Sequence, residues 1–146
     1  SGDVIDTLKE MVATFELQNK VLFFGKRPYA EMMAFTSHAD LGLTLDKPTS
    51  DNYRFSLPNK VFDYIHAETP IIGTNLVEVA QVITTHQVGT VIDELTPEAL
   101  ARAIRYYQEH TDLLLTQKAN CRVAAATENW KNEQEVLKLI YPRIEH

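Results

Sequence analysis

Lys60, Asp63 and Ala67 recur at helical spacing in the run Pro58-Asn59-Lys60-Val61-Phe62-Asp63-Tyr64-Ile65-His66-Ala67. Residues three and four apart share one face of a helix, so the ammonium and the carboxylate lie on one stripe with Tyr64 beside them. Val61, Phe62 and Ile65 supply an apolar face on the other side. A helix opening at Pro58 leaves the N–H groups of Asn59 and Lys60 at its positive end, where an anion is favoured. Lys60 adds a mobile positive charge. Asp63 offers two oxygens to two neighbouring hydroxyls, as of a sugar diol. The plainer alternative is an ordinary helix start with a solvated lysine, Asp63 serving only as its ion-pair partner. Spacing alone favours that plainer reading.

Other chemistries find less support. His66 falls one residue off the stripe and reads as a partly buried helix residue. His38, His86, His110 and His146 sit at element ends or in loops, and no pair has the spacing of a metal motif. The single cysteine, Cys121, excludes an intrachain disulfide and a thiolate zinc site, and a reducing compartment fits it. With Lys118 nearby but no histidine within a turn, it reads as a structural thiol. Ser56 lies in no Gly-x-Ser-x-Gly elbow, and neither Gly-x-Gly-x-x-Gly nor Gly-Lys-Ser/Thr occurs. Fourteen Lys and Arg against 20 Asp and Glu leave a net charge of −6, which opposes non-specific binding to nucleic acid or an anionic bilayer. No apolar run reaches the roughly 18 residues needed to span a bilayer.

These residues need a frame. The 146 residues suit one domain, and a hydrophobic content of 45% is enough to fill its core. The pattern predicts strands at 21–24, 41–45, 70–73 and 89–92, each a short apolar run between punctuating residues. Amphipathic helices are predicted over Asp3–Leu17, from Pro28 to about Ser37, and from Pro58 to Ala67. A further helix, capped by Asn75, carries Val79, Val82 and Ile83. Thr96-Pro97 caps a helix carrying Leu100, Ala103, Ile104 and Tyr107, and two more follow, over 112–126 and around Trp130 to Ile140. Strands alternating with helices predict an α/β fold, a doubly wound parallel sheet with a helical C-terminal tail. Ligands in such sheets bind beyond the carboxyl ends of the strands, which singles out 25–28, 46–60, 73–75 and 93–95.

The segment Ser56 to Ile72 resembles the nucleotide-sugar-binding half of GT-B glycosyltransferases, especially glycosyltransferase family 4. Asn19-Lys20-Val21-Leu22-Phe23-Phe24-Gly25 is similar to that family's strand ending in glycine, and Ala39-Asp40-Leu41-Gly42-Leu43 to its Ala-Asp strand. His86 to Ile92, followed by Thr96 to Ile104, is similar to its closing strand and helix. The ordered set covers about residues 2–110.

The resemblance implies a Rossmann-like C-terminal donor domain over the whole chain, 1–146, truncated before its first strands and lacking the acceptor domain. Ser1-Gly2 is similar to a glycine-rich turn after the second strand, and the chain opens without a methionine. By position, Asp63 would meet the ribose hydroxyls, Pro58, Asn59 and Lys60 the diphosphate, and Gly25, Lys26 and Arg27 the base. Three positions depart from the family pattern. Phe55 stands where a glutamate meets the donor sugar, and Pro58, with no N–H to give, stands where glycine is usual. Asp63, a milder change, stands where a second glutamate is usual and has the shorter reach. The implied reaction is retaining transfer of a hexose-like unit from a UDP-, GDP- or dTDP-linked sugar to a glycan or lipid-linked acceptor, in polysaccharide biosynthesis. No metal or cofactor is required, no catalytic residue is expected in this chain, and the isolated piece is expected to be inactive. The expected setting is cytoplasmic, including the inner face of the membrane. The alternatives are a nucleotide-sugar epimerase or hydrolase of the same fold, marked by a catalytic group within Asp46–Arg54, and a non-catalytic α/β binding module.

Overall fold

A computed structural model describes residues 2–47 and 59–127. Its elements in chain order are α1 (Gly2–Thr14), α2 (Tyr29–His38), β1 (Gly42–Thr44), α3 (Asn59–His66), β2 (Ile71–Thr74), α4 (Val77–His86), β3 (Gly89–Ile92), α5 (Pro97–Glu109) and α6 (Thr111–Ala126). The three described strands form one parallel sheet in the order β1-β2-β3. Gly42 lies opposite Ile71 and Thr44 opposite Gly73, while Ile71 lies opposite Gly89 and Thr74 opposite Ile92.

All four residues of β2 are buried, as expected of a strand covered on both faces. Successive side chains point to opposite faces, and Ile71 and Ile72 accordingly belong to separate clusters. Ile71 packs with Val61, Phe62 and Ile65 of α3, Val79, Val82 and Ile83 of α4, and Cys121 and Ala124 of α6. Ile72 packs with Ile92 and Tyr107, bordered by Leu100, Ala103 and Ile104 of α5. Right-handed crossovers between strands added in one direction put their helices on one face, which is where α3 and α4 lie. With α5 on the other face, the sheet is a layer between helices.

The predicted strand at 21–24 is not formed. A strand exists through its ladder, and among the described residues none lies alongside this run. Its four apolar residues are exposed, Leu22 at 63% and Phe24 at 49%. The apolar stripe of α1 shares that exposure, at Val4, Leu8 and Met11, as does Phe15 just beyond the helix. Asn75 does not cap α4 either: the N-cap is Leu76, with no side-chain bond, and the Asn75 amide instead donates to Asp93 Oδ1 at 3.1 Å. Thr96 does cap α5, accepting from the Ala99 N–H at 3.1 Å, with Pro97 at the helix start. The predicted helix around Trp130 to Ile140 lies outside the described residues. No helix among the described residues is long and apolar enough to cross a membrane.

Two side-chain devices fix the layers. Tyr107 Oη donates to Gln117 Oε1 at 2.6 Å, which uses its only proton, so the Thr90 hydroxyl 2.7 Å away donates to Tyr107. Gln117 Nε2 then donates to the Gly89 carbonyl at 3.1 Å, completing a chain through β3, α5 and α6. On the outside, Arg122 grips both carboxylate oxygens of Glu68 at 3.0 Å each. Those bonds hold the Glu68 carboxyl below its usual range and tie α6 to the left-handed residue that ends α3 (φ 58°).

Gly89 sets the spacing of the central ladder. A Cβ there would run into the backbone carbonyl of Ile71, an atom that no rotamer change can move. Gly89→Ala is therefore expected to destabilise the fold by about 2–3 kcal/mol, the cost of overpacking a site that cannot relax. Urea denaturation checks this, and a midpoint unchanged from wild type would refute the close approach.

Candidate functional site

The carboxyl ends of the strands carry a connected polar belt. Asp46, two residues past β1, accepts a hydrogen bond from Thr44 Oγ1 at Oδ2 (3.1 Å). Its main-chain carbonyl accepts one from Thr74 Oγ1 at the end of β2 (2.8 Å). Lys60 Nζ lies 3.7 Å from the same Oδ2. Asn75 and Asp93 extend the belt past β2 and β3. The parallel ladder brings these groups together, because every strand ends on the same side.

Helix α3 carries the candidate residues into this belt. Its apolar positions, Val61, Phe62 and Ile65, are buried in the cluster shared with Ile71 of β2, with α4 and above all with α6. That burial fixes the roll of the helix and turns Lys60 and Asp63 toward its other side. Tyr64 straddles the border: its ring covers Gly42, where a Cβ would lie 2.6 Å from the ring carbons, and its hydroxyl donates to the Leu43 carbonyl at 3.1 Å. Burial pushes the Tyr64 phenol above its usual value.

Asn59 begins α3, and Pro58 lies outside the described residues, as does Phe55. Lys60 points to Asp46. Asp63 accepts a hydrogen bond from Tyr29 Oη at 2.7 Å, and Tyr29 is the first residue of α2. The loop before α2 holds the other three candidates. Gly25 adopts the left-handed conformation (φ 67°), with open space where a side chain would sit. Lys26 is exposed. Arg27 is used within its own loop, Nε donating to the Phe24 carbonyl at 2.8 Å and Nη1 to Glu31 Oε1 at 3.3 Å. Among the described residues, neither Lys26 nor Arg27 has a hydrogen bond or ion pair to α3; it is Tyr29, at the start of α2, that reaches α3.

Tyr29 and Thr44 were not among the candidates, whereas Thr74 falls in the 73–75 strand end singled out by the sequence. Thr44 is likewise the last residue of its strand, a position that could have marked it. Nothing in the spacing links Tyr29 to Asp63, 34 residues away. His66 is exposed rather than partly buried, since the roll that buries Ile65 turns its neighbour outward. Among the described residues, no group of three or more His, Cys, Asp or Glu side chains could hold a metal ion.

Cys121 is fully buried in the α3–α4–α6 cluster. Burial pushes its thiol up to about 12, so the thiolate is scarce at neutral pH and the thiol is structural. In the native protein at pH 8, Cys121 is expected to react with a disulfide reagent only as fast as the chain unfolds. A reaction as fast as that of free cysteine would show the cluster to be open.

A parallel sheet layered between helices, with a polar belt at its strand ends, is consistent with a Rossmann-like GT-B domain. Residues 1–125 match the model of the glycosyl transferases group 1, and the chain belongs to that family. No curated protein sequence matches the chain. Among solved structures it is similar to that of WaaG, a glycosyltransferase involved in lipopolysaccharide biosynthesis, with a TM-score of 0.70 and 18% identity. The match covers 94% of this chain and 36% of that one, so the chain spans about a third of that structure's length.

Proposed function

We propose that this chain is the donor-binding, C-terminal part of a family-4-like GT-B glycosyltransferase, the rest of the sheet and the acceptor domain belonging to a longer protein. The donor is a nucleoside diphosphate sugar, UDP-, GDP- or dTDP-linked, and the acceptor is a glycan or lipid-linked hydroxyl. The reaction sits in polysaccharide biosynthesis, on the cytoplasmic side and at the inner face of the membrane where lipid-linked acceptors lie. The observation that carries the reading is the stripe of Lys60 and Asp63 on α3, beside a belt of strand-end polar groups. Membership of the glycosyl transferases group 1 supports it.

In this reading the start of α3 and Lys60 meet the diphosphate, and Asp63 accepts hydrogen bonds from the ribose hydroxyls. Gly25 leaves room for the base, with Lys26 and Arg27 flanking it. A diphosphate leaving with the electrons of the sugar–oxygen bond gains negative charge, and fixed positive groups lower the barrier to its departure. Lys60 is partly exposed and already paired with Asp46, so it contributes more to affinity than to rate. Transfer also needs an acceptor held in a closed cleft, so catalysis is assigned to the longer protein and the isolated chain transfers no sugar. A hydrolase or epimerase would need its own catalytic group. Asp46, the one described carboxylate in the stretch where such a group was sought, is engaged with Thr44 and Lys60.

Titration calorimetry with UDP, GDP and dTDP tests the reading. Asp63→Ala is expected to weaken the preferred nucleotide by about 1–3 kcal/mol, the worth of a hydrogen bond to a charged group. Equal affinity in both proteins would remove Asp63 from the site. Lys60→Ala is expected to weaken UDP by about 1 kcal/mol and to leave uridine unchanged, because the ammonium is partly exposed and only the diphosphate carries charge. A parallel loss for uridine would place Lys60 elsewhere than at the phosphates.

A further inference from the structure

The contact between Tyr29 and Asp63 joins the two halves of the candidate site across 34 residues of chain. Tyr29 is held in place independently of that contact. Pro28, with φ −55°, fixes the entry into α2, and its carbonyl accepts the first helical bond from the Met32 N–H at 2.9 Å. Arg27 bridges the Phe24 carbonyl and Glu31 across the same turn. Phe24 stacks on Phe35 with ring centroids 4.7 Å apart, which clamps the loop onto the helix. At the other end of α2, Thr69 Oγ1 donates to the Thr36 carbonyl at 2.8 Å, anchoring the helix to the turn after α3. The phenol therefore reaches Asp63 from a helix start whose backbone is held by contacts of its own.

An aspartate carboxylate rotates about a broad, weakly restrained torsion. A donor at 2.7 Å on Oδ1 sets the plane of the group, and with it the directions from which further donors can approach. We propose that Tyr29 is a positioning residue of the nucleotide site: its hydroxyl orients the Asp63 carboxylate for the ribose diol. The inference rests on the reading of Asp63 given above and adds to it a specificity determinant from the first residue of α2. Tyr29 does not touch the reacting atoms. Its effect is on which sugar of the nucleotide is accepted, the ribose or its 2′-deoxy form.

The test is a double-mutant cycle read with two probes, UDP and 2′-deoxyuridine diphosphate, on wild type, Tyr29→Phe, Asp63→Ala and the double variant. Tyr29→Phe keeps the ring and removes only the hydroxyl. It is expected to weaken UDP about three- to tenfold, to change 2′-deoxyuridine diphosphate much less, and to cause no further loss once Asp63 is alanine. If Asp63→Ala weakens UDP and Tyr29→Phe does not, the inference is overturned while the ribose reading stands. An equal loss for both nucleotides in Tyr29→Phe also overturns it, since that is the mark of a merely structural loop contact. Tighter UDP binding by Tyr29→Phe would mean that the hydroxyl occupies the ribose's own place, and would end it too. Indifference of UDP to Asp63→Ala, or no binding of UDP or GDP by any of the four proteins, removes the ribose reading and the inference with it.

Discussion

The parallel ladder on either side of β2 is the constraint from which the remaining structure follows. Its residues are buried on both faces, so each must find apolar partners in a different helical layer, Ile71 in one and Ile72 in the other. Gly89 allows β3 to approach closely enough for the pairing to form. Because the three described strands point the same way, their polar ends emerge together. The belt of Asp46, Thr74, Asn75 and Asp93 is thus a by-product of strand direction before it is anything else.

Order within the belt comes from groups that have few alternatives. Thr44 and Thr74 are buried, and a buried hydroxyl must spend its proton on a nearby acceptor. Asp46 supplies both acceptors, one on its side chain and one on its main chain. The Tyr107–Gln117 chain does the same on the other side of the sheet, satisfying the Gly89 carbonyl where β3 begins. In each case a polar network links strand to neighbour without interrupting the apolar layers.

Much of this was legible in the sequence, and the failures have physical causes. The strands at β2 and β3 and the cap at Thr96 were readable because their signals are local: apolar runs, a glycine start, a threonine before proline. The run Val21-Leu22-Phe23-Phe24 carries the same signal, yet pairing is a property of two segments and cannot be read from one. Asn75 had the right residue type for a cap, but Asp93, 18 residues on, offered its amide a partner. On α3 the stripe of Lys60 and Asp63 was readable from periodicity. Their partners were not, since Asp46 and Tyr29 reach the helix through tertiary packing.

The pairing of Lys60 with Asp46 changes what an arriving anion encounters. The ammonium already has a counter-ion on the protein, 3.7 Å away and itself held by Thr44. An incoming oxyanion therefore gains only the difference between its own attraction for Lys60 and that of the resident carboxylate, which it must also approach against like charge. In the proposed reading, the diphosphate therefore meets an ammonium that is already paired, and its net gain from Lys60 is smaller than an unpaired lysine would give.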